Sequence, residues 1–392
     1  MSLLNLLRKK APGYVNVKAL HKLFDALILN TNPFQFQSAP NCRYTSKELM
    51  QLLAYASLER QTIESSCTLL SRQRAVPCAS AVRNALVHHP PAKIDSLVND
   101  YLLTILKKLK RFASSARRTP STVIIDFHDD PYYGKDDTPY VLSGKRVKST
   151  HRVFRYATVC LIEHGVTYTL AMHSVNKNAT RFEIMKYLIE RAKKLVNVKQ
   201  VLADGAFYNV AVARYLDQED ITFIIRGIKN EGVKPIIKRF ESELEKEGAY
   251  KIVNYPMKSH GKKKRYPVKL LLYRQQQEVR VLVVNYQCPL RAQECISLYK
   301  RRFSIETVYR MKHGVKAWTT SKKAVLRSVL FGMSCLLYTF WAIYRSVVAK
   351  TEPRSHHGEK ARNQGYERRM WILLAHIRLT LAPLLSQEGS LP

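Results

Sequence analysis

Tyr299, Arg302, Glu306, Arg310 and His313 recur at spacings of three and four in a stretch without glycine or proline. At ~100° per residue, that spacing sets all five on one face of a helix. A lone carboxylate among cations and a phenol is an unusual face, because a solvated helix more often interleaves charges of opposite sign. The residue types suit a divalent metal held beside a phosphate. Glu306 would ligate the ion, and the cations would take the phosphate oxygens. Taken alone, the stretch fits equally well a basic surface helix with an incidental acid. Two aspartates upstream shift the balance. Asp126 follows the apolar run Val123, Ile124, Ile125, and Asp204 follows Lys199 to Ala203; each run predicts a buried strand ending on an acid. The carboxyl ends of strands are where sites assemble in open α/β sheets. Three carboxylates gathered at one point repel unless cations lie between them. That is the arrangement of a two-metal phosphoryl-transfer site, with ions ~3.5–4 Å apart. One ion would activate water or a 3′-hydroxyl, and the other would stabilise the leaving oxygen.

The elements that must position these acids can be followed along the chain. Residues 1 to 118 predict a helical domain, broken by a Pro/Asn-rich segment at Asn30 to Asn41. Thr45 or Ser46, followed by Glu48, is a capping-box start for an apolar helix. Ile63 to Leu70, a basic turn Ser71 to Pro77, and a short helix carrying Arg83 have the outline of a helix-turn-helix. Any three-helix bundle has the same outline. After a Ser/Arg/Pro linker at Ser114 to Thr122 come the strand before Asp126, two strands at Arg152 to Ile162 and Val166 to Ser174, and a helix capped by Thr180 and Glu183. The strand before Asp204, a helix to Leu216 and a strand at Ile221 to Ile225 complete a mixed sheet flanked by helices. From Arg226 to Pro289 the pattern changes to an acidic helix, Pro235 to Glu247, followed by three short strands, which together predict a β-rich insertion. The run Lys262, Lys263, Lys264, Arg265 forms its hairpin tip, either against a phosphate backbone or as a solvated loop. Ala324 to Val348 predicts a core helix rather than a membrane span, since the uncharged stretch Ser328 to Tyr344 falls short of the ~20 residues a span needs. A polar linker, Thr351 to Gly365, and an amphipathic helix, Met370 to Leu385, end the chain.

Composition narrows the partner. The 392 residues carry 65 Lys and Arg against 30 Asp and Glu, a net charge of +35, with 46% hydrophobic residues. The apolar content supports folded domains, and the charge implies a polyanion, nucleic acid before membrane surface. The acids cluster at Asp126 to Asp137 and Glu241 to Glu247, as expected where metal ions must be gathered inside a cationic protein. Seven cysteines without a CxxC pair predict reduced thiols rather than a disulfide framework or a zinc ribbon. Met1 to Lys10 has the wrong order and length for a signal peptide. Gly144 and Lys145 lack the earlier glycine of a phosphate-cradling loop, since position 139 is Pro.

The whole chain resembles the DDE transposases of prokaryotic insertion sequences, in the branch with a Tyr-x2-Arg-x3-Glu-x6-Lys signature. Tyr299, Arg302 and Glu306 match that signature, and Asp126 and Asp204 match the two aspartate motifs. The resemblance implies an RNase H-like α/β catalytic domain (119–226 and 290–350) with a β-rich insertion (227–289), a helical N-terminal domain (1–118), and a basic C-terminal segment (351–392). It also implies cleavage at transposon ends, with the 3′-hydroxyl joined to target DNA. The catalytic and metal residues would be Asp126, Asp204 and Glu306, holding two Mg²⁺ or Mn²⁺ ions. Tyr299, Arg302, Arg310, His313, Arg83 and the run 262–265 would contact DNA. The partners would be terminal inverted repeats and target DNA, bound by a homodimer in a prokaryotic, archaeal cytoplasm and not at a membrane. The signature Lys should stand at 313, where this chain has His313 beside Lys312; Arg310 is expected to supply the charge. Two other outcomes are a DNA-binding protein without catalysis and an RNase H-fold nuclease acting on DNA structure.

Overall fold

Val123, Ile124 and Ile125 are wholly buried in β1 (Pro120–Pro131), the strand from which the sheet is best followed. A computed structural model describes residues 22–36, 43–72, 76–86, 89–109, 112, 119–136, 138–147, 149–163, 166–258 and 265–348. It divides into two compact units. One comprises Leu106–Glu163 and Leu170–Thr307; the other comprises Met1–Ile105, His164–Thr169 and Val308–Pro392.

The first unit is built on the sheet. β1 pairs antiparallel with β3 (Thr150–Glu163), and β2 (Val141–Val147) and β4 (Val166–Ser174) both pair with β3. On its other side β1 runs parallel to β5 (Asn197–Ala203), which runs parallel to β6 (Thr222–Arg226). Strands buried on both faces read as unbroken apolar runs, which is why Val201 to Ala203 and Phe223 to Ile225 contain no polar residue. Helices α5 (Arg181–Lys193) and α6 (Val210–Gln218) supply the cover: α5 packs Ile184, Met185, Leu188 and Ile189 against β3 and β5, and α6 lies on β6. The expected capping box opens α5: Thr180 Oγ1 accepts from the Glu183 N–H at 3.2 Å, and Glu183 accepts from the Thr180 N–H at 2.8 Å.

Four features differ from the sequence-based expectation. β1 does not stop at Asp126 but runs on to Pro131. The acid-rich continuation keeps its ladder because Arg155 stands opposite Asp129 in register and takes it with two hydrogen bonds, 2.6 and 2.7 Å. The polar segment after it contains a strand, β2, held by the long β3. The acidic helix expected at Pro235 to Glu247 is a short helix, α7 (Lys234–Arg239), and a 3-10 turn, Ser242–Leu244. Four like charges at alternate positions favour no continuous helix, and Glu243 instead pairs with Lys251 at 2.7 Å. The expected β-rich insertion continues the main sheet: β9 (Glu278–Asn285) pairs antiparallel with β6, then with β8 (Arg265–Gln275), and β8 with β7 (Tyr250–Lys258). The result is one nine-stranded, mostly antiparallel sheet.

The second unit is helical. It contains α1 (Ser46–Glu59), α2 (Ile63–Ser71), α3 (Ala79–Leu86), most of α4 (Pro91–Lys107) and α10 (Ala324–Val348). α1, α3 and a π-helical turn at Asp25–Leu29 pack on α10, with Phe24 edge-on to Phe340 at 5.2 Å. Thr45 caps α1 in the expected box with Glu48. α10 is long and apolar enough to cross a membrane, and its apolar window is wholly buried inside the protein. Helices α2 and α3 flank the basic turn, of which residues 73–75 lie outside those described. Also outside are Met1 to Lys10, the basic run Lys262 to Lys264, the linker 351–365 and the helix expected at 370–385.

Candidate active site

Ile125 on β1 pairs with Ala203 on the parallel β5, so Asp126 and Asp204 leave the last paired rung side by side. Neighbouring strands lie about 4.8 Å apart. β5 ends at Ala203, and Asp204 begins a 3-10 turn, Gly205–Phe207. The residues after the two acids lock the arrangement: the Phe127 and Phe207 rings stack at 4.6 Å, 7° from parallel. The guanidiniums of Arg155 and Arg181 also lie over the Phe127 ring, at 5.4 and 4.7 Å.

The third acid arrives on a broken helix. The single helix expected from Tyr299 through Arg310 is two: α8 (Ala292–Arg301) and α9 (Ser304–His313). Ser304 Oγ donates to the Arg301 carbonyl at 2.8 Å, offering the backbone an alternative to the helical ladder. The joint tightens to three-residue bonds, Ile305 N–H to Arg302 O at 2.9 Å and Glu306 N–H to Phe303 O at 3.2 Å. Arg302 stands at this joint with its side chain buried. Its Nη1 donates to Asp126 Oδ2 at 2.6 Å, and its Nη2 lies 3.6 Å from Glu306 Oε1.

The electrostatics follow from that geometry. Burial pushes the Asp126 carboxyl up to about 6, against Arg302 and the Phe127 N–H, which favour its charged form; Asp204 and Glu306 add to the rise. Burial works against the Arg302 charge, but Tyr299, Asp126, Asp204 and Glu306 together outweigh it and hold the guanidinium firmly protonated. Burial also pushes the Tyr299 phenol up to about 12. Arg302 Nε is buried without a hydrogen-bond partner, and the Arg302 guanidinium works against the rise at the Tyr299 phenol.

The structure thus brings Asp126, Asp204, Glu306, Tyr299 and Arg302 into one neighbourhood. Arg310 and His313 are exposed on α9 beyond Thr307, in the helical unit. Lys312 is buried, its ammonium 5.3, 6.0 and 5.7 Å from the rings of Tyr309, Phe331 and Tyr338. Arg83 forms an ion pair with Glu64 that ties α3 to α2. Arg265 is exposed at the start of β8, and Asp129 is committed to Arg155. The rings of Phe127 and Phe207 were not singled out from the sequence; their signal is an aromatic one and three residues after the respective aspartate.

Divalent metal suits the donor set in kind. Three carboxylates are hard oxygen ligands, and Asp126 senses the charge of both others. Among the described residues, no three His, Cys, Asp or Glu side chains are yet drawn around one point. Arg302 holds the Asp126 oxygen that an ion would need.

Two aspartates on neighbouring strands and a glutamate on a later helix thus stand within electrostatic reach of one another. Residues 117–340 match the family model described as Transposase DDE domain, over more than half of the chain, and the chain belongs to that family. The piggyBac transposase synaptic complex with hairpin DNA, solved by cryo-EM, has a similar fold: the match covers 98% of this chain and 84% of that one, at 12% identity and a TM-score of 0.56. No curated protein sequence matches the chain.

Proposed function

We propose that the chain is the DNA transposase of a prokaryotic insertion sequence, cutting the ends of its element and joining the freed 3′-hydroxyl to target DNA. The observation that carries this is the buried Arg302 guanidinium, held between Asp126 and Glu306 with its Nε buried and unpartnered. Each unmet buried donor costs about 1–3 kcal/mol. A backbone phosphate brings the acceptor oxygens that would satisfy the Arg302 Nε.

Asp126, Asp204 and Glu306 would hold two Mg²⁺ or Mn²⁺ ions, which would supply activation of the attacking oxygen and charge stabilisation of the leaving one. The protein's own part is positional. The Phe127–Phe207 stack fixes the two aspartate-bearing strands relative to each other. Arg302 neutralises Asp126 in the resting site and would turn its fork to the phosphate when DNA enters. Arg310 and His313 would extend the phosphate contacts along α9, with Arg310 in place of the signature lysine. Arg83, Lys262, Lys263, Lys264 and Arg265 would meet the DNA backbone. A homodimer holding paired ends is the proposed assembly, with residues 1–118 as the helical DNA-binding domain.

The test is cleavage of DNA carrying the terminal repeats that flank this reading frame, with Mg²⁺ or Mn²⁺. Asp126→Asn, Asp204→Asn and Glu306→Gln should each abolish cutting while DNA affinity stays near that of the unaltered protein. Cutting that persists in any one of them removes that residue from the site. A protein that binds the repeats but never cuts them is the DNA-binding alternative.

A further inference from the structure

Trp318 is 61% exposed, the most exposed tryptophan described, yet its backbone is held rigidly. Its N–H donates to the Gln61 carbonyl at 3.0 Å. The buried Arg327 donates to the carbonyls of Ser321 and Thr319 at 2.7 and 3.3 Å, so the loop carrying the ring is clamped from beneath. The ring forms one wall of an open cleft of about 520 Å³ in the helical unit; Arg60, Gln61, Thr62, Ser65, Thr68 and Leu69 form the rest.

Three details of that cleft point to a ligand. Arg60 ends α1 at φ 54°, the left-handed position where glycine is the usual occupant, and it aligns a cation with the cleft at a backbone cost. Gln61 is fixed at both its N–H and its carbonyl, but its side-chain Oε1 is buried with no hydrogen-bond partner. Lys322 and Lys323 are exposed on the same loop, which has no acid between Gly314 and Lys323. A flat aromatic face, an unpartnered amide oxygen and the cation of Arg60, with Lys322 and Lys323 further along the same loop, match the three parts of a nucleotide: base, base edge and phosphate. Proteins that bind single strands combine aromatic platforms with cationic tracks in this way.

We propose that the cleft at Trp318 binds an unstacked base of single-stranded DNA, with the base stacked on the indole, its edge at Gln61 and the neighbouring phosphates at Arg60, Lys322 and Lys323. The proposal rests on the DNA-binding function above and adds a site outside the acids. A paired base cannot reach such a platform, because its faces are already covered.

The test is equilibrium binding of the full chain, in EDTA, to a short oligothymidylate carrying one 2-aminopurine. Trp318→Ala should weaken the single strand about tenfold or more and abolish quenching of the 2-aminopurine. The slope of affinity with salt should stay the same, because phosphate contacts set that slope. Trp318→Phe, which keeps a ring, should retain most of the affinity and the quench. A blunt duplex of the same length should bind the alanine variant as it binds the unaltered protein. An unchanged single-strand affinity in Trp318→Ala, or an equal loss on the duplex, overturns the proposal. Because cutting plays no part in this readout, its failure leaves the acid variants' test intact, and theirs leaves this one.

Discussion

Asp126 is a carboxylate placed where a carboxylate is uncomfortable. Its ordinary value of 3.8 rises to about 6 mainly through burial, even with Arg302 bonded to it at 2.6 Å. Between those values the folded chain binds a proton that the unfolded chain has lost, so stability falls as pH rises from about 4 to about 6 and stays low above. A shift of this size corresponds to roughly 3 kcal/mol at neutral pH. Asp126→Asn is therefore predicted to stabilise the protein in EDTA at pH 7.5 by on the order of 2–3 kcal/mol, and hardly at all near pH 4. Urea denaturation at the two pH values checks this; a variant less stable than the parent at pH 7.5 would contradict the assigned burial. A second residue-scale prediction separates two neighbours. Lys312 points into the rings of Tyr309, Phe331 and Tyr338, whereas Arg310 is exposed. Lys312→Met should leave DNA cleavage unaltered, and Arg310→Ala should reduce it. The reverse pattern in a cleavage assay would return the signature role to Lys312. The spacing of Tyr299, Arg302 and Glu306 was legible in the sequence. That Arg302 lies between two of the acids was not, because that contact joins residues 176 positions apart.

At the scale of elements, long apolar runs and capping boxes were readable, and whatever depended on partners was not. Thr45 with Glu48 and Thr180 with Glu183 open their helices as their spacing indicates. β1 runs beyond Asp126 only because β3 supplies Arg155 opposite Asp129. The α8–α9 break comes from one hydroxyl, Ser304, reaching back to Arg301. The attachment of β7 to β9 to the main sheet depends on a close approach invisible in sequence. Gly227, just after β6, donates its N–H to Val281 on β9 at 2.9 Å, and a Cβ there would sit 2.6 Å from Val281 Cγ1. Gly227→Ala must push β6 and β9 apart, and overpacking of this kind costs typically about 1–3 kcal/mol. Thermal unfolding should show the loss, and an unchanged melting temperature would mean the junction is looser than described.

Across the molecule, the charge of +35 and the family of the DDE domain agree on a polyanionic partner. The three acids come from widely separated parts of the chain, Asp126 and Asp204 on neighbouring strands and Glu306 on a helix 102 residues past the second. Composition announced the partner; only the parallel register of β1 and β5 sets the aspartates abreast. In the proposed reaction these acids close around shared divalent ions once Arg302 releases Asp126. Iron-directed backbone scission addresses it most directly: Fe²⁺ loaded in place of Mg²⁺, with ascorbate and peroxide, cuts the chain beside its ligands. Cuts are expected near Asp126, Asp204 and Glu306 together, competed by Mg²⁺ and lost at all three positions in Asp126→Asn. Cuts at only one of the three, or a pattern that Asp126→Asn leaves untouched, would contradict it.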